Sequence, residues 1–391
     1  MVTLVVKQNR IGPILNGHPW VFSKALVSIP EGLVKGEPVR LVSQQGSFLA
    51  SGYFNSYAPI TVRIWSWDED ERVNKDFFQR RVEQAYRIRH LYVEPSGTNA
   101  YRLINGENDS LPGLIVDRYG DYLVIQFHTE GIAYWKEMIV DVIDAVFNPK
   151  GIYERSDVTL RKDKESRGYQ GILTGTVPDL ITITENHFRF LVDIKKGQKT
   201  GFFLDQRDKR QAFLKYARGT KTLNCFSYTG SFAVYALAGG AQSVTNVDTS
   251  HDALSLAKEN ILLNGFHVDT CSFVCDDVKG YLRSLNETYD AIILDPPAFI
   301  KDRRKKQEGI AGYKTINELA LRSVSDHGIL VTCSCSAHLS LQDFRFLLSE
   351  VGGKTKRMLT ILESYTHGID HYQRVPFTEG EYLKCFFITV D

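Results

Sequence analysis

The chain has 391 residues, and at about 150 residues per domain it holds roughly two to three domains, which excludes a single small module. Hydrophobic residues make up 43% and charged residues 24%, a globular balance with enough apolar material for buried cores and no case for wholesale disorder. Lys plus Arg number 47 against 46 Asp plus Glu, a net charge of +1, so a polyanionic partner must be met by local basic patches rather than by the field of the whole molecule.

The first 70 or so residues carry short apolar runs broken by turn residues, among them Val39 to Val42, Phe48 to Phe54 and Ile60 to Trp65, which predicts a small β-rich domain. The charged break Asp68-Glu69-Asp70-Glu71-Arg72 ends it, placing a boundary near residue 72. Apolar residues at mostly helical spacing follow from Phe77 to Ile88, then strands at Leu114 to Val116, Tyr122 to Phe127 and Gly151 to Tyr153, with a helix near Tyr134 to Phe147. That pattern predicts a central α+β domain over 73–190. The stretch Thr222 to Val247 lacks charge, but polar residues and three glycines interrupt it, so it reads as buried strand, turn and helix rather than a membrane span. All six cysteines fall in the C-terminal half, a poor layout for a disulfide framework. With no signal-peptide pattern at the start, a reducing cytoplasm is the expected compartment.

Beyond Gly219, apolar runs alternate with helical stretches: Thr222 to Phe226, Ser243 to Val247, Ser272 to Val274, Asp290 to Leu294 and Gly328 to Thr332. The expected fold class is α/β, an open, mostly parallel Rossmann-like sheet over 191–391 whose ligand crevice lies beyond the carboxyl ends of the strands. Asn224 and Phe226 at the end of the first strand, and Tyr228 and Gly230 just beyond it, lack the G-x-G-x-x-G pattern that a pyrophosphate needs. A sulfonium nucleoside such as S-adenosylmethionine therefore fits better than a dinucleotide. Eighteen positions after Gly230, Asp248 ends the second strand, where a carboxylate can accept both ribose hydroxyls, and Thr249-Ser250 can start a helix. Asp276-Asp277 follows the third strand and suits an adenine amino group or a helix cap equally.

The fourth strand leads into Asp295-Pro296-Pro297-Ala298, a carboxylate at the crevice over a rigid turn, and the fifth into Cys333-Ser334-Cys335-Ser336. One thiol or both thus emerge where a substrate would lie, and a thiolate there can act as a nucleophile. The thiols also admit two other readings: inert core cysteines, or with His338 a three-ligand metal fragment that lacks a fourth ligand. Cys225, Cys271, Cys275 and Cys385 are assigned to the core, and no metal is expected.

Taken together, these motifs resemble those of class I S-adenosylmethionine-dependent RNA methyltransferases of the ribosomal RNA large subunit methyltransferase I type, over nearly the whole chain. Gly17-His18-Pro19-Trp20-Val21-Phe22 resembles the family's N-terminal PUA domain (1–72), Leu111 to Asp117 and Tyr153 to Asp157 its central domain, and Lys199 to Arg207 its most specific signature. The resemblance implies that Thr200, Phe202, Asp205 and Gln206 close the cofactor pocket, that Asp248 holds the ribose and that Asp277 faces the adenine. It further implies 5-methylcytosine formation in large-subunit ribosomal RNA, with Cys335 as nucleophile and Asp295 at the cofactor and the base. Where two-cysteine enzymes of this chemistry carry a second thiol after the fourth strand, this chain has Ala298, which leaves the base for the carbon-5 proton unassigned.

Lys301, Arg303, Arg304, Lys305 and Lys306, bracketed by Gly309 and Gly312, read as a mobile phosphate-binding loop or as a solvated charged loop. Arg80, Arg81, Arg87 and Arg89, and Arg161, Lys162, Lys164 and Arg167, could extend a phosphate track. Methylation of a guanine or an exocyclic amine, and a non-catalytic RNA-binding assembly factor, stand as the alternatives. No membrane partner is expected, and the oligomeric state, a homodimer included, is left open.

Overall fold

The computed structural model describes residues 1–57, 59–156 and 169–391. Asp157 of the central motif and the basic group Arg161, Lys162, Lys164 and Arg167 lie outside the described residues. The chain packs as two compact units, the first comprising 1–184, 192–204 and 369–378, the second 185–191, 205–368 and 379–391.

The first unit holds two five-stranded sheets. Strands β1 (Val2–Val5), β2 (Trp20–Phe22), β3 (Pro38–Val42), β4 (Phe48–Phe54) and β5 (Ile60–Ser66) are ordered β1-β3-β4-β5-β2, around a core that includes Leu4, Val21, Val39, Leu41, Phe54 and Val62. Strands β6 (Ala100–Asn105), β7 (Leu114–Tyr119), β8 (Tyr122–Phe127), β9 (Gly151–Arg155) and β10 (Gln170–Gly175) form the second, ordered β10-β9-β8-β7-β6. Its core takes Phe77, Phe78, Val82 and Ala85 from the helix Lys75–Tyr92 and Ile139, Val142 and Ile143 from the helix Lys136–Phe147. Arg89, read from sequence as part of a phosphate track, is instead fully buried in this unit. Its guanidinium donates to both carboxylate oxygens of Asp109 at 2.8 and 2.9 Å and to the carbonyl of Asp370 at 2.8 Å. A buried guanidinium must be paired in this way, because its desolvation otherwise costs several kcal/mol. Strands β11 (Ile181–Glu185) and β12 (Phe188–Val192) make a two-stranded ribbon.

The second unit is built on seven strands: β13 (Lys221–Cys225), β14 (Ser243–Asp248), β15 (Cys271–Cys275), β16 (Tyr289–Leu294), β17 (Val324–Ser334), β18 (Leu359–Tyr365) and β19 (Lys384–Val390). Their order is β15-β14-β13-β16-β17-β19-β18; β13 to β17 pair in parallel and β19 runs antiparallel to both neighbours. The expected mostly parallel sheet is present, extended by two strands beyond the five apolar runs read from sequence. The chain steps outward from β13 to β14 and β15, then returns to β16 on the other side of β13. That reversal opens a crevice at the carboxyl ends of β13 and β16, where Cys225 and Leu294 are register partners.

Two of the four cysteines assigned to the core are displaced from it. Cys225 and Cys385 are buried, whereas Cys271 is half-buried and Cys275 is exposed. Both lie on β15, an edge strand, and an edge strand has no neighbour on one side to cover it.

Candidate active site

The loop leaving β13 places Phe226 at φ +58°, Tyr228 at +46° and Gly230 at +72°, so every second residue adopts the left-handed conformation that side chains other than glycine disfavour. Gly230 starts the helix Ser231–Ala238, and a Cβ on it would meet Cβ of Ala257 at 2.7 Å. The glycine thus serves the sharp turn and close packing on the helix His251–Leu263. Asn224, one residue inside the strand end, donates from Nδ2 to Oδ1 of Asn246 at 2.9 Å and is buried in the sheet.

Asp248 ends the neighbouring strand with its carboxylate fixed. Oδ2 accepts from the Tyr228 N–H at 2.9 Å and Oδ1 from the Ser250 N–H at 3.0 Å. Ser250 caps the following helix through the N–H of Ala253. Each Asp248 oxygen retains a lone pair for a further donor. Beside it, Ser227 Oγ and Thr229 Oγ1 are buried without a hydrogen-bond partner among the described residues. Buried polar atoms are normally satisfied, so two orphaned hydroxyls beside an oriented carboxylate suit a nucleoside with hydroxyl and amine groups. The sequence reading passed over both residues, although they alternate with the ones it chose. At the end of β15, Asp277 is exposed, and its Oδ2 caps the helix Val278–Ser284 through the N–H of Gly280 at 2.9 Å.

Across the switch point, Asp295 accepts at Oδ2 from Nε2 of Gln206 at 2.9 Å. Asp205 accepts from the Tyr382 hydroxyl at 2.7 Å, and its carbonyl accepts from Nζ of Lys209 at 2.6 Å. The Lys199 to Arg207 signature is divided: Asp205 and Gln206 belong to the second unit, Thr200 and Phe202 to the first. Thr200 donates from Oγ1 to Asp117 at 2.6 Å, where Arg102 also binds Asp117 in bidentate fashion at 2.8 and 3.0 Å, and Phe202 is buried.

Strand β17 ends at Ser334, so Cys335 lies past the strand rather than sharing its extended face with Cys333. Its thiol is half-buried and donates to the carbonyl of Pro296 at 3.7 Å, bringing the cysteine against the turn that carries Asp295. Cys333 is fully buried opposite Cys385, its register partner. That contact and burial push its thiol pKa well above the usual range, which makes it unreactive. Among the described residues no group of three His, Cys, Asp or Glu side chains is placed to hold a metal ion.

The basic segment after Asp295 is not a glycine-hinged loop. Arg303–Lys305 is a short 3-10 turn and Lys306–Ser323 a helix that contains both Gly309 and Gly312. A Cβ on Gly309 would lie 2.3 Å from Cγ1 of Ile300 and 2.9 Å from the carbonyl of Phe299, so this glycine lets the helix pack on the turn. Arg304 pairs with Asp302 at 2.6 Å and Lys306 with Asp343 at 2.9 Å. Lys301, Arg303 and Lys305 are exposed, with no ion-pair partner among the described residues. In the first unit, Arg80 and Arg81 both pair with Glu71. Trp20 donates from Nε1 to Glu107 at 2.7 Å with Phe377 edge-on at 4.9 Å. A surface cavity of about 670 Å³, lined by Arg345, Phe346 and Leu359 among others, shares no residue with the crevice.

Residues 159–357 match the family model of S-adenosylmethionine-dependent methyltransferases, and residues 4–67 that of a PUA-like domain. The ribosomal RNA large subunit methyltransferase I of Cronobacter sakazakii is 40% identical over 389 residues, 98% of either chain. This chain belongs to that methyltransferase family. The methyltransferase is also 39% identical, over 98% of each chain, to the relative of the same name in Escherichia coli O127:H6. Its structure resembles that of SMU.776 solved with SAH, at a TM-score of 0.86 and 26% identity over 100% of both chains. The methyltransferase therefore uses S-adenosylmethionine, which supplies an electrophilic sulfonium methyl group when bound. Among its described residues no helix is long and apolar enough to cross a membrane.

Proposed function

We propose that this methyltransferase forms 5-methylcytosine in large-subunit ribosomal RNA, with Cys335 as the nucleophile. The observation that carries the reading is the contact of the Cys335 thiol with the Pro296 carbonyl at 3.7 Å, which sets a half-buried sulfur beside the Asp295 turn at the carboxyl ends of adjacent strands. Ribosomal RNA is the substrate class in the names of the relatives. In this reading Asp248, with Ser227 and Thr229, holds the nucleoside part of the cofactor, joined by Asp277 and the loop residues Phe226 and Tyr228. Asp205 and Gln206 hold the crevice wall.

The thiolate of Cys335 adds to carbon 6 of the cytosine, which raises electron density at carbon 5, and Asp295 stabilises the proton at ring nitrogen 3. Once carbon 5 is methylated, loss of its proton and expulsion of the sulfur restore the aromatic ring. The target base must leave any stacked helix to reach the sulfur. The exposed Lys301, Arg303 and Lys305 supply phosphate contacts, and the PUA-like module over 1–72, with the central domain over 73–190, positions the RNA for the catalytic domain over 191–391.

The test is mass spectrometry of nucleosides from large-subunit ribosomal RNA incubated with the protein and labelled S-adenosylmethionine. Label is expected in 5-methylcytosine, and Cys335→Ala is expected to lower turnover at least ~1,000-fold while leaving cofactor affinity unchanged. Label in another base, or full activity in Cys335→Ala, would overturn the reading.

A further inference from the structure

Lys384 opens β19 and is 1% exposed. Its register partner on β17 is Ser334, and its ammonium donates to the carbonyl of Ser336 at 2.9 Å and to that of Tyr382 at 3.2 Å. The side chain therefore spans from the residue before Cys335 to the residue after it. Among the described residues Lys384 makes no ion pair. Removing an ammonium from water without a carboxylate costs several kcal/mol even after relaxation, and two carbonyl dipoles offset only part of it. An apolar side chain would fill the same space without that cost, so the charge calls for a reason.

The reason lies in the surroundings of the cysteine. The thiol points its hydrogen at the Pro296 carbonyl. That acceptor favours the protonated thiol and would face a thiolate with its own lone pairs, so ionisation needs a positive charge nearby. Burial pushes the Lys384 ammonium below the usual lysine range, while Glu381 and Cys335 push it back. Other titratable groups of this neighbourhood include Tyr313, whose hydroxyl bonds Ser336 Oγ at 2.9 Å, and, acting on the Cys333 side, Asp295, Lys209 and Cys385.

We propose that Lys384 is a positioning residue that holds Cys335 in its thiolate form, its fixed ammonium supplying the counter-charge beside the sulfur. The proton of Sγ leaves to solvent, the electron pair stays on sulfur, and Lys384 keeps its own proton throughout. The inference rests on the reading of Cys335 as nucleophile, and the ionisation of that thiol can be measured without any RNA.

Alkylation of the full-length protein by iodoacetamide, followed across pH by mass spectrometry of the Cys335 peptide with the exposed Cys275 as internal comparison, gives the midpoint directly. The parent is expected to titrate below the ordinary thiol value of about 8.5. Lys384→Met should raise the midpoint by about one unit or more, and Lys384→Arg should hold it within about half a unit of the parent. Turnover of Lys384→Met should fall in kcat at neutral pH and recover toward alkaline pH, with cofactor affinity unchanged. A parent midpoint at or above the ordinary thiol value overturns the proposal even if the Met variant does not fold, and so does a Met variant with the parent's midpoint. Because no RNA enters the alkylation, its outcome is separate from the identity of the methylated base.

Discussion

Asp248 is held by two backbone N–H donors, from Tyr228 and Ser250, so its charge is already oriented before any ligand arrives. Preorganisation of this kind removes the ordering cost from binding, and a hydrogen bond to a charged group contributes about 1.5–3 kcal/mol. Asp248→Asn should therefore weaken binding of S-adenosylhomocysteine by roughly 10- to 100-fold, read by titration calorimetry; an unchanged affinity would remove Asp248 from the cofactor site. The same residue-scale logic separates the cysteines. Burial pushes the Cys225 thiol far above its ordinary range, and Cys333 is tied to Cys385. Cys335 is half-buried against the Asp295 turn.

At the scale of elements, the packing of the helix Lys306–Ser323 on the Phe299-Ile300 turn fixes the path of the chain just after Asp295. Alanine in a helix is ordinarily favoured over glycine by about 1 kcal/mol, but at Gly309 the added Cβ would fall within 2.9 Å of the Phe299 backbone carbonyl. Overpacking costs about 1–3 kcal/mol, so the sign should reverse. Gly309→Ala should lower the unfolding free energy in urea and reduce kcat while leaving S-adenosylhomocysteine binding intact, and a stabilised variant would contradict the packing argument. This constraint is invisible in the sequence, where a basic run flanked by glycines reads as a loop. The strands β13, β14, β16 and β17 were legible because parallel strands covered on both faces become largely continuous apolar runs, whereas β15 lies at the edge and keeps only the short apolar pair Phe273-Val274. The edge strand β18 alternates in burial, from Leu359 to Tyr365, and the pairing of β19 with β17 depends on residues 50 to 62 positions apart in the chain. Lys384 shows the same limit. As a residue type it signals a surface position, and only the register with Ser334 brings it beside Cys335. Asp248 and Asp295 could be singled out in the sequence because strand ends in this fold border the ligand crevice.

Across the whole molecule, charges are placed inside as well as outside. His128 lies among Arg102, Glu107, Arg63 and Asp117; burial above all, then Arg102, lowers its pKa from about 6.5 to about 4. Its folded value is depressed, so the unfolded chain binds the extra proton first as pH falls below about 6.5. Its contribution is thus full above that pH and is lost progressively down to about 4. The loss should be on the order of 2–3 kcal/mol, and urea denaturation at pH 7 and pH 5 should show a smaller difference for His128→Gln than for the parent. Equal differences would place the acid sensitivity elsewhere.

The return of residues 369–378 to the first unit also bears on the order in which the protein can be made. Asp370 and Tyr372 complete the hydrogen bonding of Arg89, yet they are synthesised about 280 residues after it. During translation the emerging N-terminal portion holds a guanidinium whose remaining partners have not been built, so its final consolidation must wait until Asp370 and Tyr372 have left the ribosome. The portion that begins first is thereby among the last to be finished.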